Sequence, residues 1–132
     1  YVVRKLSNEE KNILEKGKEL ELERRSIHNN TYLLYQVKAD HMPIGISEKD
    51  HAFSATLIDE KECTIYLFSD GYVDQFGGPL GKKFMSRNFK RLLLDIQDLS
   101  MQQQKEKLQE ELDKWMGNIS QIDDILVLGI KP

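Results

Sequence analysis

The sequence predicts an α+β domain, and three features of the pattern support this prediction. The run CTIYLF at residues 63–68 is nearly continuous in apolar and β-branched side chains, which is typical of a strand buried on both faces. Residues 82–97 and 101–116 carry apolar side chains at spacings of three and four, which predicts two consecutive amphipathic helices. The run ILVLGI at residues 125–130 predicts a further strand after the helices.

The N-terminal part begins with a predicted strand, YVVRK at residues 1–5, and continues into a charged block at residues 7–26. In this block Ser7 and Glu10 have the spacing of a capping box, and Gly17 would end a short helix. The ELELE run of the same block alternates at period two, which instead indicates a strand. The pattern leaves a helix and a hairpin open, and in either form we expect a solvated insertion at one edge of the domain.

Two more strands are predicted in the middle of the chain. They are TYLLYQVK at residues 31–38 and HAFSATLI at residues 51–58, the second with only partial alternation. The glycine-rich segment at residues 77–81 lacks the Gly-Lys-Ser/Thr ending of a phosphate loop, and we expect a mobile loop there.

Each predicted helix presents one apolar stripe to a core. The stripe of the first helix comprises Met85, Phe89, Leu92, Leu93 and Ile96. The stripe of the second comprises Leu108, Leu112, Trp115 and Met116. Ser100 and Gln103 have capping-box spacing at the start of the second helix, and Gly117 suits its C-terminal end.

Composition excludes several classes of protein. The chain has 132 residues, the size of one domain, and with 39% apolar and 31% charged residues it is lean in core material. Lys and Arg number 19 against 22 Asp and Glu, so the net charge of −3 lacks the basic excess of a nucleic-acid-binding protein. No apolar run approaches the roughly 20 residues of a membrane span. The single cysteine, Cys63, indicates a reducing, cytoplasmic compartment, and we expect its thiol to be buried as core packing.

Acidic residues stand at the ends of two predicted strands. Asp70 follows the strand at residues 63–68, and Asp123 and Asp124 precede the strand at residues 125–130. If the two strands are antiparallel neighbours, these carboxylates meet at one rim of the sheet, where a cation would have to compensate their charge. Hard divalent ions such as Mg²⁺ or Mn²⁺ prefer such oxygen ligands. An ordinary turn at Asp70 and a solvated strand entry at Asp123 remain the alternative.

Four segments together resemble one family. They are VKADHMPIGI at residues 37–46, FSDGYVDQFGG at residues 68–78, GKKF at residues 81–84 and QIDDILVLGIK at residues 121–131. In order and spacing they are similar to the metal-dependent serine/threonine protein phosphatases of the type 2C class, in the bacterial branch typified by the sporulation stage II protein E. The resemblance covers most of residues 31–131.

The resemblance implies a fold and a site. The fold is part of an α-β-β-α sandwich with mainly antiparallel sheets, which in the family holds two Mn²⁺ or Mg²⁺ ions and an attacking water, with no protein nucleophile. By motif, Asp70 and Asp123 are implied metal ligands. Gly71 would let the backbone turn beside the site, and Asp124 would support it. Asp74 is either a supporting residue or a helix cap.

The chain departs from the family pattern at one point. The family's first metal motif, a Gly-Asp followed by a His-Gly, does not occur in residues 1–132. We therefore expect the chain to be the C-terminal portion of one phosphatase domain, cut from a longer protein, that binds metal weakly and is inactive alone. Half of a sandwich also exposes apolar faces, which favours a homodimer.

The resemblance further implies a role in bacterial signal transduction, with an upstream sensor domain and a phosphorylated regulatory protein as substrate. The alternative is a non-catalytic protein-interaction module that keeps the fold. Outside these motifs, His28, His41 and His51 lack zinc-site spacing. The basic run indicates a solvated helix face, or else a docking surface for an acidic or phosphorylated protein; it comprises Lys82, Lys83, Arg87, Lys90 and Arg91.

Overall fold

The computed structural model describes residues 1–20, 26–37, 40, 52–60 and 62–132. Their elements are, in chain order, β1 (Val2–Lys5), α1 (Asn8–Glu15), β2 (Ile27–His28), β3 (Tyr32–Tyr35), β4 (Cys63–Phe68), α2 (Gly71–Asp74), β5 (Phe76–Gly77), β6 (Lys82–Lys83), α3 (Ser86–Asp95), α4 (Met101–Met116) and β7 (Val127–Ile130). The fold is mixed α+β with an antiparallel sheet, as predicted. Within these ranges no helix is both long and apolar enough to cross a membrane.

Five strands form one antiparallel sheet in the order β2-β3-β1-β4-β7. β4 lies between β1 and β7, although α3 and α4 separate β4 from β7 in the sequence. In the β4–β7 pair, Phe68 lies opposite Val127 and Ile65 lies opposite Ile130. The end of β4 is therefore adjacent to the start of β7, which is the condition on which the predicted acidic site depends.

The core lies between the sheet and the two long helices. Val3, Leu34 and Tyr66, from three neighbouring strands, form one buried cluster with Phe89 of α3 and Leu108 of α4. Alternate residues of a strand point to opposite faces, so the next residue along β4 points away from these helices.

The opposite face of β4 and β7 is only partly covered. Leu67 is 56% exposed and lies opposite Leu128, which is 48% exposed. The prediction that residues 63–68 are buried on both faces is therefore wrong for Leu67, because α3 and α4 pack on one face alone. Cys63 is buried, as expected, and burial raises the pKa of its thiol.

The charged block begins with a helix. α1 starts with a complete capping box between Ser7 and Glu10, and Gly17 follows the helix with a φ of 69°. The helix buries no residue, which agrees with a solvated insertion. Most of the ELELE run lies outside the described residues, so its predicted strand stays untested.

The strand predicted at residues 51–58 is wrong over its described part. Residues 52–60 contain no strand, and Leu57 is 91% exposed. Partial alternation was insufficient because Phe53 and Leu57 remain exposed, so this segment buries no apolar face that would hold a strand in register. Residue 51, together with residues 41–50 of the VKADHMPIGI signature, lies outside the described residues.

The first long helix starts four residues later than predicted, at Ser86. Residues 82–83 instead pair with Phe76–Gly77 as a β-hairpin, and its turn contains most of the segment predicted to be a mobile loop. The mobility of that loop stays a prediction. Met85 has a φ of 76°, a left-handed backbone conformation that prevents α3 from starting earlier in the chain. Its side chain is 57% exposed. Met85 was therefore wrongly assigned to the apolar stripe, whereas Phe89 and Ile96 are buried as predicted.

The second long helix is confirmed at Met101–Met116, with a reciprocal capping box between Ser100 and Gln103. Its stripe also contains one buried polar residue, Gln104, which is 1% exposed. The hydroxyl of Tyr66 donates to Gln104 Oε1 and accepts from Gln97 Nε2. Because burial raises the pKa of Tyr66 to about 12, the phenol stays neutral and can donate.

Candidate functional site

The candidate site lies where the end of β4 meets the start of β7. Backbone hydrogen bonding continues past the last strand pair, with the Ser69 amide donating to the Leu126 carbonyl at 3.0 Å. The Ser69 hydroxyl donates to the Asp124 carbonyl at 2.7 Å and accepts from the Leu126 amide at 3.0 Å. Ser69 thereby fixes the segment before β7 against the turn that carries Asp70.

Gly71 brings the same two segments into direct backbone contact. A Cβ atom added to Gly71 would overlap the Asp124 carbonyl group and lie 3.1 Å from Ile125 Cγ1. Only glycine has no Cβ, so the close approach of the two chains requires it. The structure thus places Gly71 and Asp124, two of the predicted supporting residues, against each other.

The acidic side chains point outward from this junction. Asp70 is exposed at the start of α2, where its carbonyl accepts from the Asp74 amide at 2.9 Å and its carboxylate makes no capping bond. Asp123 is also exposed, and its Oδ1 accepts from the Asp124 amide at 2.7 Å. Both carboxylates keep oxygen atoms available to solvent at one rim of the sheet.

These donors fit a hard divalent cation in type, since carboxylate oxygens are its preferred ligands. They supply only part of a coordination shell, because such ions take about six ligands. Among the described residues no group of three or more His, Cys, Asp or Glu side chains could hold a metal ion. Asp70 and Asp123 could therefore hold an ion here only together with water or further ligands.

Comparison with known proteins identifies the family. The family model described as Stage II sporulation protein E (SpoIIE) matches residues 26–132. The chain belongs to the SpoIIE family. No curated protein matches it.

Among solved structures, this SpoIIE-family chain is similar to the SiaA-PP2C domain of Pseudomonas aeruginosa, at 37% sequence identity and a TM-score of 0.50. The match covers 51% of this chain and 27% of that chain. The resemblance inferred from the motifs is thus confirmed, and the fold is of the PP2C type.

In the SpoIIE-family chain, Asp74 forms an ion pair with Lys83. Its Oδ2 lies 2.8 Å from Lys83 Nζ, which links the end of α2 to strand β6. The α2 and α3 helices begin after Asp70 and Met85, so Asp74 is the N-cap of neither. The cap alternative is therefore wrong, and Lys83 is the observed partner of Asp74. A supporting role of Asp74 at the metal site stays a prediction.

A cleft of about 530 Å³ opens beside Asp70, and Ser86 and Lys90 of α3 also line it. Lys90 is only 8% exposed, and its ammonium lies 4.9 Å from the centroid of the Tyr1 ring. The predicted solvated basic face is wrong at Lys90, because this side chain packs inward against an aromatic ring. The cleft therefore places a cation and a carboxylate in one opening, a combination that suits a phosphoryl group with a metal ion.

Sequence reasoning missed one residue of the site, Gln75, which is 0% exposed. Its Nε2 donates to the Ser120 carbonyl at 3.0 Å, and its Oε1 accepts from the Ile122 amide at 3.3 Å. A single polar residue after a short helix carries no sequence signal of burial, so only the tertiary contact shows its role.

Proposed function

We propose that the protein to which this chain belongs is a metal-dependent protein serine/threonine phosphatase, in which Asp70 and Asp123 are ligands of Mn²⁺ or Mg²⁺. The single observation that carries the proposal is the junction of the two motifs, in which Ser69 and Gly71 of the SDG turn contact the backbone of Asp124. Membership of the SpoIIE family supports the same activity.

The residues of this chain would each contribute one task. Asp70 and Asp123 would offer oxygen ligands from the two sides of the junction. Gly71 would permit the close approach, and Asp124 would donate its backbone amide to the Asp123 carboxylate. Bound divalent ions supply a water of lowered pKa and neutralise phosphoryl charge, so no side-chain nucleophile is needed.

For the substrate we propose a regulatory protein phosphorylated on serine or threonine. Lys90, in the cleft beside Asp70, would add one positive charge next to the phosphoryl group. We further propose that the protein acts in bacterial signal transduction in the cytoplasm, that the chain forms the C-terminal part of its phosphatase domain, and that an upstream sensor domain controls it.

The proposal is tested in the full-length protein, by phosphate release from a phosphoserine peptide with Mn²⁺ and by Mn²⁺ titration. Asp70→Ala and Asp123→Ala should each abolish phosphate release and weaken Mn²⁺ binding. Asp113→Ala, which removes an exposed carboxylate from α4, is the matched control and should change neither. Retained phosphate release in either site variant would contradict the ligand roles.

The 132-residue chain alone gives a second comparison. Because it supplies few of the ligands that an ion requires, we expect weak Mn²⁺ binding and little or no turnover of p-nitrophenyl phosphate. Turnover equal to that of the full-length protein would contradict this expectation. If the full-length protein bound a phosphoprotein but released no phosphate, the interaction-module alternative would be favoured instead.

A further inference from the structure

The segment that carries Asp123 has little structure of its own. Residues 118–124 are all exposed, and β7 begins only at Val127. The Ile122 side chain, next to Asp123, is 53% exposed and cannot anchor the backbone by packing. Within the segment, Gln121 Nε2 donates to the Asp123 carbonyl at 2.7 Å, but this local bond cannot fix the segment relative to the sheet. Hydrogen bonds from neighbouring elements do that.

Those hydrogen bonds come from two residues on either side of α2. Ser69, just before Asp70, holds the Asp124 carbonyl and the Leu126 amide. Gln75, just after α2, holds the Ser120 carbonyl and the Ile122 amide. Asp123 thus lies between two attachments, one from the turn that carries Asp70 and one from the residue that follows α2.

Gln75 is itself held rigidly. Its backbone carbonyl accepts from Trp115 Nε1 at 3.0 Å and from the Phe84 amide at 2.9 Å. Burying an amide side chain costs free energy unless its donors and acceptors are paired, and here the side chain is paired with the backbone of the Asp123 segment. An aliphatic residue of the same size would pack in this position without making these bonds.

We propose that Gln75 is a positioning residue that sets the place of Asp123 relative to Asp70. The proposal rests on the proposed function, because it requires Asp123 to bind a metal ion. Metal sites need their ligands held within about 0.5 Å of the productive geometry, and hydrogen bonds behind the ligands supply this order. Gln75 makes no contact with the ion in this account and acts only through the segment that it holds.

The test is a Mn²⁺ titration of the full-length protein, followed by the loss of the free-ion electron paramagnetic resonance signal. Gln75→Met keeps the volume but removes the hydrogen bonds, and we expect about tenfold weaker Mn²⁺ binding. Gln104→Met is the matched control. It removes hydrogen bonds of a second buried glutamine, whose partners are Tyr66 and Leu99 rather than the Asp123 segment, so it should lower the melting temperature similarly without weakening Mn²⁺ binding.

A second experiment distinguishes a positioning role of Gln75 from a general loss of stability. In an Asp123→Ala background, Gln75→Met should have no further effect on Mn²⁺ affinity, because the two changes remove the same interaction. An equal loss in both backgrounds, or an equal loss from Gln104→Met, would overturn the proposal. If Asp123→Ala itself left Mn²⁺ binding unchanged, the proposed function would fail instead.

Ser69→Ala keeps the proposal testable if Gln75→Met does not fold. Ser69 is only partly buried and loses a single hydroxyl, so its variant should fold while releasing the other end of the segment. We expect it to weaken Mn²⁺ binding as well, and unchanged affinity in this variant would count against the two-sided attachment.

Discussion

Gly71 and Asp124 are in backbone contact although 53 positions separate them, and the contact leaves no room for a side chain on Gly71. The two residues belong to the two motifs that carry the predicted metal ligands. Any change in their separation would move Asp70 and Asp123 relative to each other.

Gly71→Ala should therefore destabilise the fold and the site together. The added methyl group would lie 2.9 Å from the Asp124 carbonyl carbon, and overpacking of this kind costs about 1–3 kcal/mol in the free energy of unfolding. We expect urea denaturation to show this loss and Mn²⁺ titration of the full-length protein to show weaker binding.

Gly17→Ala is the control for this variant. Gly17 has a φ of 69° and no atom near the position of a Cβ, so its substitution costs backbone strain of about 1–2 kcal/mol without a clash. It should leave Mn²⁺ affinity unchanged. Equal Mn²⁺ affinities in the two alanine variants would show that the Gly71 contact does not position the site.

The Arg4–Glu10 ion pair predicts a dependence of stability on pH. Two hydrogen bonds of 2.8 Å join the side chains, and the guanidinium lowers the pKa of Glu10 from 4.5 to about 2. A carboxyl with a lowered pKa in the folded state stabilises the fold above its unfolded pKa, and the contribution disappears as pH falls from about 4.5 to about 2.

Glu10→Gln should therefore cost about 1 kcal/mol at pH 7, a value limited by partial solvent exposure, and almost nothing near pH 2. Glutamine can keep the capping bond to Ser7 with its single amide oxygen, so the change removes the charge and one of the two Arg4 hydrogen bonds but not the capping box. Unfolding free energies of both proteins across this pH range provide the measurement, with Glu9→Gln on the same helix turn as the control. A difference that stayed constant with pH would contradict the assignment.

The Asp74–Lys83 pair should contribute little to stability. Both side chains are about 40% exposed, and exposed ion pairs are worth about 0.2–1 kcal/mol in double-mutant cycles. We expect Asp74→Asn and Lys83→Met to give similar small losses in thermal unfolding and unchanged Mn²⁺ affinity. Weaker Mn²⁺ binding in Asp74→Asn alone would instead place Asp74 in direct support of the metal.

The partly exposed face of β4 and β7 should make the 132-residue chain self-associate. Leu67 and Leu128 lie opposite each other there, and exposed apolar patches favour association. Leu67→Lys should reduce the mass measured by light scattering at high concentration. Leu57→Lys, at an exposed leucine in residues 52–60, should not, and a monomeric parent chain would contradict the prediction.

The sequence predicted α4 and offered α1 as one of two alternatives, and the starts of both helices depend on local hydrogen bonds. The starts of α1 and α4 are defined by capping boxes of four residues, Ser7 to Glu10 and Ser100 to Gln103, so a short window contains the whole signal. The start of α3 was wrong because a hairpin and the left-handed backbone of Met85 determine it, and neither has a periodic pattern.

In the candidate site, too, the sequence predicted the features with a local signal and missed those that depend on tertiary contacts. The strand ends identified Asp70 and Asp123 as acidic residues at one rim, and the antiparallel pairing of β4 with β7 satisfies the required condition. The burial of Gln75 and Lys90 could not be predicted from the sequence, because it results from contacts with residues that are distant along the chain. Gln75 contacts Ser120, and Lys90 contacts the ring of Tyr1. Polar and charged residues are usually exposed, so their residue types alone predict that both side chains lie at the surface.

The β4–β7 pairing also has a kinetic consequence. The innermost pair, Phe68 and Val127, are 59 positions apart, and closing so long a loop costs conformational entropy before the contact is formed, so such pairings slow folding. The β5–β6 hairpin, α3 and α4 all lie within that loop. The junction of the two acidic motifs is therefore expected to assemble late, after the helices have docked, so that a cation bound there would report a fully folded chain.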